Sequence, residues 1–329
     1  MIRFGIAGFG LHAVRRLMPG FALAHNCKVV ALSRRDAVKA REASERYAIP
    51  HVFGSTEELC RCPEVDAIFV TTPNANHLAD VLAAVSAAKP VLCEKPMGMN
   101  ADECRQMVEA ARRAKVLLGV AQIFRFEEST AWFRARIAQG KIGRPVFARA
   151  EFSYPGLAHP RTWLYDRRIA GGGPIADVGV HCIDALRYIL QDEVSRVHAL
   201  TRADEKSGDV EAAGVVSLEF ERGTLGAVLV STRVPYRTPL EIVGETGVLR
   251  ADDALNVDKP IRVELWQEGK LVEEGTVSNH LAYARQVDAF AAAVEGHGEF
   301  PVPGEEGLKN QLILDAAYRS AETLRSESV

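Results

Sequence analysis

The sequence predicts an α/β protein of two domains. A doubly wound parallel sheet is expected over residues 1–123, and an α+β domain with an open, mainly antiparallel sheet over residues 124–329. Three observations carry this. The 329 residues exceed one ordinary domain, at roughly 100–200 residues each. Up to about residue 123, short β-branched runs alternate with helix-length segments, as parallel strands joined by helical crossovers do. Beyond it, short strands follow one another through tight turns, as in an antiparallel sheet.

In the first part, strands are read at Ile2–Ala7, Lys28–Ser33, Ala67–Thr72, Pro90–Cys93 and Val116–Ala121. Helical periodicity covers His77–Ala88 and Ala101–Ala114. Ser55 with Glu58, and Asn100 with Glu103, have the spacing of capping boxes. In the second part, helices are expected at Thr130–Gln139 and Ala176–Leu190. Strands are expected at Val146–Tyr154, Val194–Arg202, Gly214–Phe220, Thr224–Ser231, Leu240–Gly244 and Arg262–Trp266. Two helices close the chain, at His280–Glu295 and Glu305–Arg325. The strands around Val215-Val216 and Val228-Leu229 are apolar on both faces, while helices cover one face of an open sheet. The second face is therefore expected to bury itself against a copy, giving a homodimer or homotetramer through the C-terminal sheet.

Composition narrows the function. Apolar residues make 47% and charged residues 25%, ordinary for a globular chain. Forty basic against 43 acidic side chains leave a net charge of −3, without the basic excess of a nucleic-acid or anionic-membrane binder. Residues 1–123 carry +4 and the rest −7, so an anionic cofactor suits the first part better. No apolar span approaches the roughly 20 residues of a membrane-crossing helix. The N-terminus reads as a strand running into glycine, which predicts no signal peptide and a cytoplasmic protein. Six sparse cysteines without a C-x-x-C pair are expected as reduced, buried thiols.

Gly8-Phe9-Gly10-Leu11-His12-Ala13 fits G-x-G-x-x-A between a strand and a helix. The first glycine makes the turn, the second admits a pyrophosphate to the backbone, and the small third residue lets helix pack on strand. His12 is expected to face solvent or the cofactor's edge. At the tip of the second strand, NAD-binding domains usually place a carboxylate for the ribose 2′-hydroxyl. Here the tip is Ser33-Arg34-Arg35, a hydroxyl and two guanidinium groups suited to a 2′-phosphate. The expected cofactor is NADP rather than NAD.

Three further motifs are Thr72-Pro73-Asn74-Ala75-Asn76-His77, Cys93-Glu94-Lys95-Pro96, and the run Gly171-Gly172-Gly173-Pro174 leading to Asp177, His181 and Asp184. Together they resemble the Gfo/Idh/MocA family, named for glucose–fructose oxidoreductase, inositol dehydrogenase and a rhizopine-catabolism protein, over nearly the whole chain. The resemblance implies a nucleotide domain followed by an open sheet, and hydride transfer between NAD(P) and a sugar, polyol or related hydroxyl or carbonyl compound. It implies that Lys95 is the catalytic lysine, Asp177 the substrate-positioning aspartate and His181 the proton-transfer histidine. It also places Thr72, Pro73, Asn74, His77, Glu94 and Pro96 at the cofactor, with a cis bond between Lys95 and Pro96. Many members have Trp-Arg before the triple glycine. This chain has Trp163-Leu164, so Arg167 or Arg168 is considered in the missing arginine's place.

The chemistry points to the same residues. Hydride transfer makes or consumes an alkoxide, whose oxygen needs a proton donor and nearby positive charge. Histidine is the side chain whose ordinary charge change falls near neutral pH, which suits His181 to proton transfer, and Asp177, four residues earlier, would share its helix face. Lys95 lies past the end of a parallel strand, where such sheets bind ligands. Arg125, just past the last strand of the first domain, is expected to reach the cofactor or line the cleft. Tyr154, His159, Trp163 and Tyr236 are candidates for stacking on a sugar or binding its hydroxyls. Asp177 and His181 also admit a helix ion pair or a metal site, though a third ligand at metal spacing is missing. The alternative from another class is a non-catalytic NADP-binding sensor, which has no need of Lys95, Asp177 and His181 together.

Overall fold

The computed structural model describes residues 1–158 and 160–329. His159 lies outside the described residues. The chain packs as two compact units: residues 1–122 with 283–311, and residues 123–282 with 312–329.

The first unit holds a six-stranded parallel sheet: β1 (Ile2–Ala7), β2 (Cys27–Ser33), β3 (His51–Phe53), β4 (Ala67–Val70), β5 (Val91–Cys93) and β6 (Leu118–Val120). Its order, β3-β2-β1-β4-β5-β6, is that of a dinucleotide-binding sheet. β4 and β5 are buried along their whole length because helices flank both faces. Those helices are α1 (Met18–Leu23), α2 (Ala37–Tyr47), α3 (Thr56–Cys60), α4 (His77–Ser86) and α5 (Ala101–Ala114). Both capping boxes form. Ser55 accepts from the Glu58 amide and Asn100 from the Glu103 amide. The two glutamates reach back to the amides of Gly54 and Met99, one residue before the cap.

Residues 283–311 return to this first unit. Phe290 packs 6.0 Å from Phe4 and 5.2 Å from Phe300, ring centre to ring centre. Asp288 accepts from the amides of His25 and Asn26.

The second unit holds a nine-stranded sheet. Its strands are β7 (Pro145–Ser153), β8 (Val194–Arg202), β9 (Ala213–Phe220), β10 (Leu225–Ser231), β11 (Leu240–Gly244), β12 (Val248–Ala251), β13 (Ile261–Gln267), β14 (Lys270–Val277) and β15 (Glu327–Ser328). The order is β14-β13-β12-β11-β7-β10-β9-β8-β15, antiparallel except for the β7–β10 pair. Helices α6 (Glu128–Ala138), α7 (Arg167–Ala170), α8 (Val180–Leu190), α9 (Ala282–Val294) and α10 (Gly304–Thr323) complete the chain. Ala148, Ala150, Val216, Leu218, Val228 and Val230 alternate onto the buried face, where α8 packs on β7 and β10. The opposite face leaves Phe147, Leu200, Val215 and Leu225 at least 44% exposed.

All six cysteines are buried and unpaired with one another. Among the described residues, no helix is long and apolar enough to cross a membrane, and no group of three His, Cys, Asp or Glu is placed to hold a metal.

Candidate functional site

In the first unit the chain leaves β1 through Gly8, whose φ of +79° strains any residue with a side chain. A Cβ there would lie 2.6 Å from the Thr72 methyl and 2.8 Å from its backbone. The Gly8 and Phe9 amides donate to the Ser33 carbonyl, pinning the turn to the end of β2. A Cβ on Gly10 would meet only the Gly8 carbonyl, at 3.6 Å, so the space before it is open. The helix starts as a π turn, Ala13–Leu17, with Ala13 buried against the sheet.

A groove of about 460 Å³ runs along this loop, lined by Gly8, Phe9, Gly10, Ser33, Arg34, Arg35, Lys39, Ser55, Thr72, Pro73, Asn76 and Asp80 among others. Ser33 is buried, with Oγ 3.4 Å from the Gly8 amide. Arg34 Nη1 donates to the Phe9 carbonyl, which folds the guanidinium over the glycine loop. Arg35 is exposed. Asp36 caps α2 by accepting from the Lys39 and Val38 amides, and these bonds with the Lys39 ammonium hold its carboxyl below the usual range. Lys39 is a third cation on this wall that sequence reasoning missed. Its signal was the helix position three residues after Asp36.

The loops after β4 and β5 are braced from inside. His77 is fully buried, with Nδ1 2.9 Å from the Pro96 carbonyl and Nε2 2.9 Å from the Thr72 carbonyl. Burial lowers its pKa, and the two carbonyls pull the other way. His77 thus ties the two loops together from behind instead of lining the groove, and Asn74 beside it is buried too. Thr72 Oγ1 donates to Asp80 at 2.6 Å. His12 differs from expectation. Its Nε2 lies 2.9 Å from Glu94 Oε1, so the glycine loop is joined to the segment that carries Lys95. Burial alone would raise the Glu94 pKa, but the His12 and Lys95 charges outweigh it and the carboxyl titrates lower than usual. The Lys95 amide donates to Glu94 Oε2, and the Lys95–Pro96 bond is cis. Leu11, between the glycines and His12, is half-buried.

In the second unit, Gly171 turns with φ +80° and the chain enters a π turn, Ile175–Gly179, that runs into α8. Tyr154 donates to Asp177 Oδ2 at 2.7 Å. Burial, then the Asp177 charge, keeps the Tyr154 hydroxyl protonated. The His181 ring lies 4.5 Å from Phe124 and 6.2 Å from Phe152, and Tyr236 meets Phe152 edge-on at 5.8 Å. Tyr154, Asp177, His181 and Tyr236 therefore belong to one constellation, with an aromatic wall of Phe124 and Phe152 that the sequence did not single out.

Three arginines are placed otherwise than expected. Arg125 grips Asp184 with Nε and Nη2, side chains 8% and 1% exposed, so its charge is neutralised inside the protein. That ion pair fixes the turn bearing Phe124 onto the helix bearing His181 and assigns Arg125 to the fold, not the cofactor. Arg167 stacks 5.3 Å over the Tyr318 ring and reaches Glu322. Arg168 pairs with Asp166 and is 86% exposed. Arg161, 5.9 Å over the half-buried Trp163 ring, is the arginine whose charge bears on Tyr154.

Comparison with known proteins agrees with this geometry. Residues 2–122 match a family described as an oxidoreductase family with an NAD-binding Rossmann fold, and residues 130–250 match the GFO/IDH/MocA C-terminal domain. The chain is 31% identical over 325 residues to 1,5-anhydro-D-fructose reductase from Ensifer adhaerens, covering 98% of this chain and 97% of that one. It is 32% identical over 324 residues to D-xylose 1-dehydrogenase (NADP(+)) 2 from Haloferax volcanii, covering 97% of each. The aldose-aldose oxidoreductase of Caulobacter crescentus, solved with glycerol, shares the fold with a TM-score of 0.90 at 24% identity, covering 100% of this chain and 99% of that one. With both halves matched and such relatives along almost its entire length, the chain belongs to the GFO/IDH/MocA family of oxidoreductases.

Proposed function

We propose that the protein is an NADP(H)-dependent oxidoreductase that moves a hydride to or from a carbon bearing a hydroxyl or carbonyl group on a sugar or polyol. The observation that carries this is the Tyr154–Asp177 hydrogen bond on the helix turn leading to His181, in a chain of an oxidoreductase family. The names of the two sequence relatives support a sugar-type substrate.

The groove fits the dinucleotide. Open space in front of Gly10 suits a pyrophosphate, and the wall of Ser33, Arg34, Arg35 and Lys39 suits a 2′-phosphate. Asp36, the carboxylate next to that tip in sequence, is occupied with capping α2, while Glu57 also lines the groove. When bound, the nicotinamide supplies the hydride donor or acceptor. In this reading Lys95 steadies the negative charge that develops on the substrate oxygen. His181 gives or takes a proton at a substrate hydroxyl. Asp177, aligned by Tyr154, accepts a substrate hydroxyl, and Arg161 and Trp163 contribute at the edge. The exposed apolar face of the second sheet pairs with a copy in a homodimer or homotetramer.

The test is a panel of sugars, inositols and ketoses offered with each nicotinamide, read by absorbance. Turnover that prefers NADP is expected. Tight NADP binding without turnover on any member would favour a sensor, and tighter binding of NAD would overturn the reading of the strand tip. Sedimentation at micromolar concentration reads the assembly, and a stable monomer would refute it.

A further inference from the structure

The turn that carries Asp177 starts without a side-chain cap of its own, since its first position follows Pro174. The first amides of a helix have no partners within it and need acceptors from elsewhere. Here they come from far along the chain. The Gly173 amide donates to Glu211 Oε2 and the Ile175 amide to Glu211 Oε1, each at 2.9 Å. The Ala176 amide donates to the Tyr318 hydroxyl at 3.2 Å, and that hydroxyl donates to Glu211 Oε1 at 3.0 Å. Glu211 is 8% exposed. A carboxylate with three donors, at the positive end of a helix, sits where its charge is most useful.

The triple glycine has its reason in the same place. A Cβ on Gly172 would lie 1.8 Å from the Tyr318 hydroxyl, and one on Gly173 would lie 2.2 Å from the Glu211 carbonyl oxygen. Two of the three glycines are thus the space into which Glu211 and Tyr318 fit. The bonds of this arrangement run between protein groups. Its product is the placement of the turn bearing Asp177 and of the helix bearing His181.

We propose that Glu211 and Tyr318 are positioning residues: together they clamp the start of this helix and so set the placement of Asp177 and His181. The proposal rests on the assignment of those two residues to catalysis. Losing one bond of the clamp lets the turn drift, and misplacement of even about 1 Å is costly in such chemistry.

The experiment uses the full chain with Tyr318→Phe, Glu211→Gln and Gly172→Ala. Tyr318→Phe removes one oxygen and leaves the ring and its Arg167 contact, so it remains informative even if Glu211→Gln fails to fold. Expected are NADP affinity within twofold of native and kcat lowered about tenfold or more. The deuterium isotope effect on kcat should rise as hydride transfer becomes limiting. Gly172→Ala, whose Cβ would meet the Tyr318 hydroxyl at 1.8 Å and the ring carbon behind it at 2.4 Å, displaces the whole side chain and should lower kcat at least as far as Tyr318→Phe. The His181 imidazole resonances should shift in each variant, a readout that needs no turnover. A folded Tyr318→Phe protein with native kcat and unmoved His181 resonances would overturn the clamp. Absence of turnover in the native protein, with His181 resonances that do shift, would overturn the functional reading and leave the clamp standing.

Discussion

The two units build their sites in different ways. In the first, the groove is made mostly of backbone and of residues adjacent in sequence: a positive-φ glycine after β1, an open glycine beyond it, and a strand tip that runs serine, arginine, arginine. In the second, each functional side chain is held by a partner from a distant segment. Asp177 is held by Tyr154, the helix of His181 by the Arg125–Asp184 pair, and its start by Glu211 and Tyr318. A site of the first kind is visible as a short motif. A site of the second kind reveals its reactive residues but hides what aims them.

This contrast can be broken by experiment, most severely at the chemistry. His181→Ala should lower turnover by about 10²–10⁴ while leaving NADP affinity within a few-fold, because the dinucleotide groove lies wholly in the first unit. Adding Lys95→Ala should cost far less than the product of the two single losses. Steady-state kinetics with a dissociation constant for each variant decides it; NADP binding that collapsed with His181 would show the division to be wrong.

The next effect is on stability. Arg125→Ala takes the closer of two cations from the buried Asp184 carboxylate and leaves Arg187 Nη1 3.8 Å away, so the cost is expected near the low end of the roughly 3–5 kcal/mol of a fully broken buried pair. Denaturant unfolding should show a loss of that order. A loss below about 1 kcal/mol would mean that the pair does not anchor the helix.

The strand tip gives a smaller change. In the NADP reading, Ser33→Asp sets a carboxylate against the 2′-phosphate and removes a donor, a loss of about 1.5–3 kcal/mol before repulsion is counted. NADP affinity should fall at least tenfold while NAD is spared or helped. Equal weakening for both would move the source of specificity to Lys39 and Arg35.

The smallest is a pH effect at Glu127, fully buried with Ser129 Oγ 3.5 Å away. Burial raises this carboxyl well above its ordinary range, so the folded protein keeps a proton that the unfolded chain loses. The folded state therefore binds the extra proton in the window between the unfolded value and the raised one, and stability falls as pH rises through it. Glu127→Gln should flatten that slope, with a Tm equal to native near pH 5 and a few degrees higher near pH 7.5. A native Tm that did not decline relative to the variant across this range would contradict the assignment.

The sequence yielded the fold class because hydrophobic period and turn chemistry are local. It missed β3, β12, β14 and the two-residue β15 for local reasons too. His51–Phe53 is only three residues long, and Lys270–Val277 alternates weakly because most of it is exposed. Residues 283–311 return to the first unit through Phe290 and Asp288, contacts that no spacing in the sequence announces. Among site residues, the motif positions around Gly8, Lys95, Asp177 and His181 were readable. Arg125 was misplaced and the contacts of Arg167 were not foreseen, because an arginine's role depends on which carboxylate or ring it meets. Those partners, Asp184 and Tyr318, stand 59 and 151 positions further along the sequence. His12 was misread for the same reason: Glu94, its partner, lies beyond four intervening strands and four helices.

The central claim is that this family member is an active oxidoreductase whose chemistry depends on Lys95 separately from nucleotide binding. The most direct measurement is NADP-linked turnover of the best substrate from the panel, native against Lys95→Ala, with NADP affinity measured on both. Turnover down by about 10²–10⁴ with NADP affinity held within a few-fold is the predicted result. Full activity in Lys95→Ala on a substrate that the native protein oxidises or reduces well would contradict it.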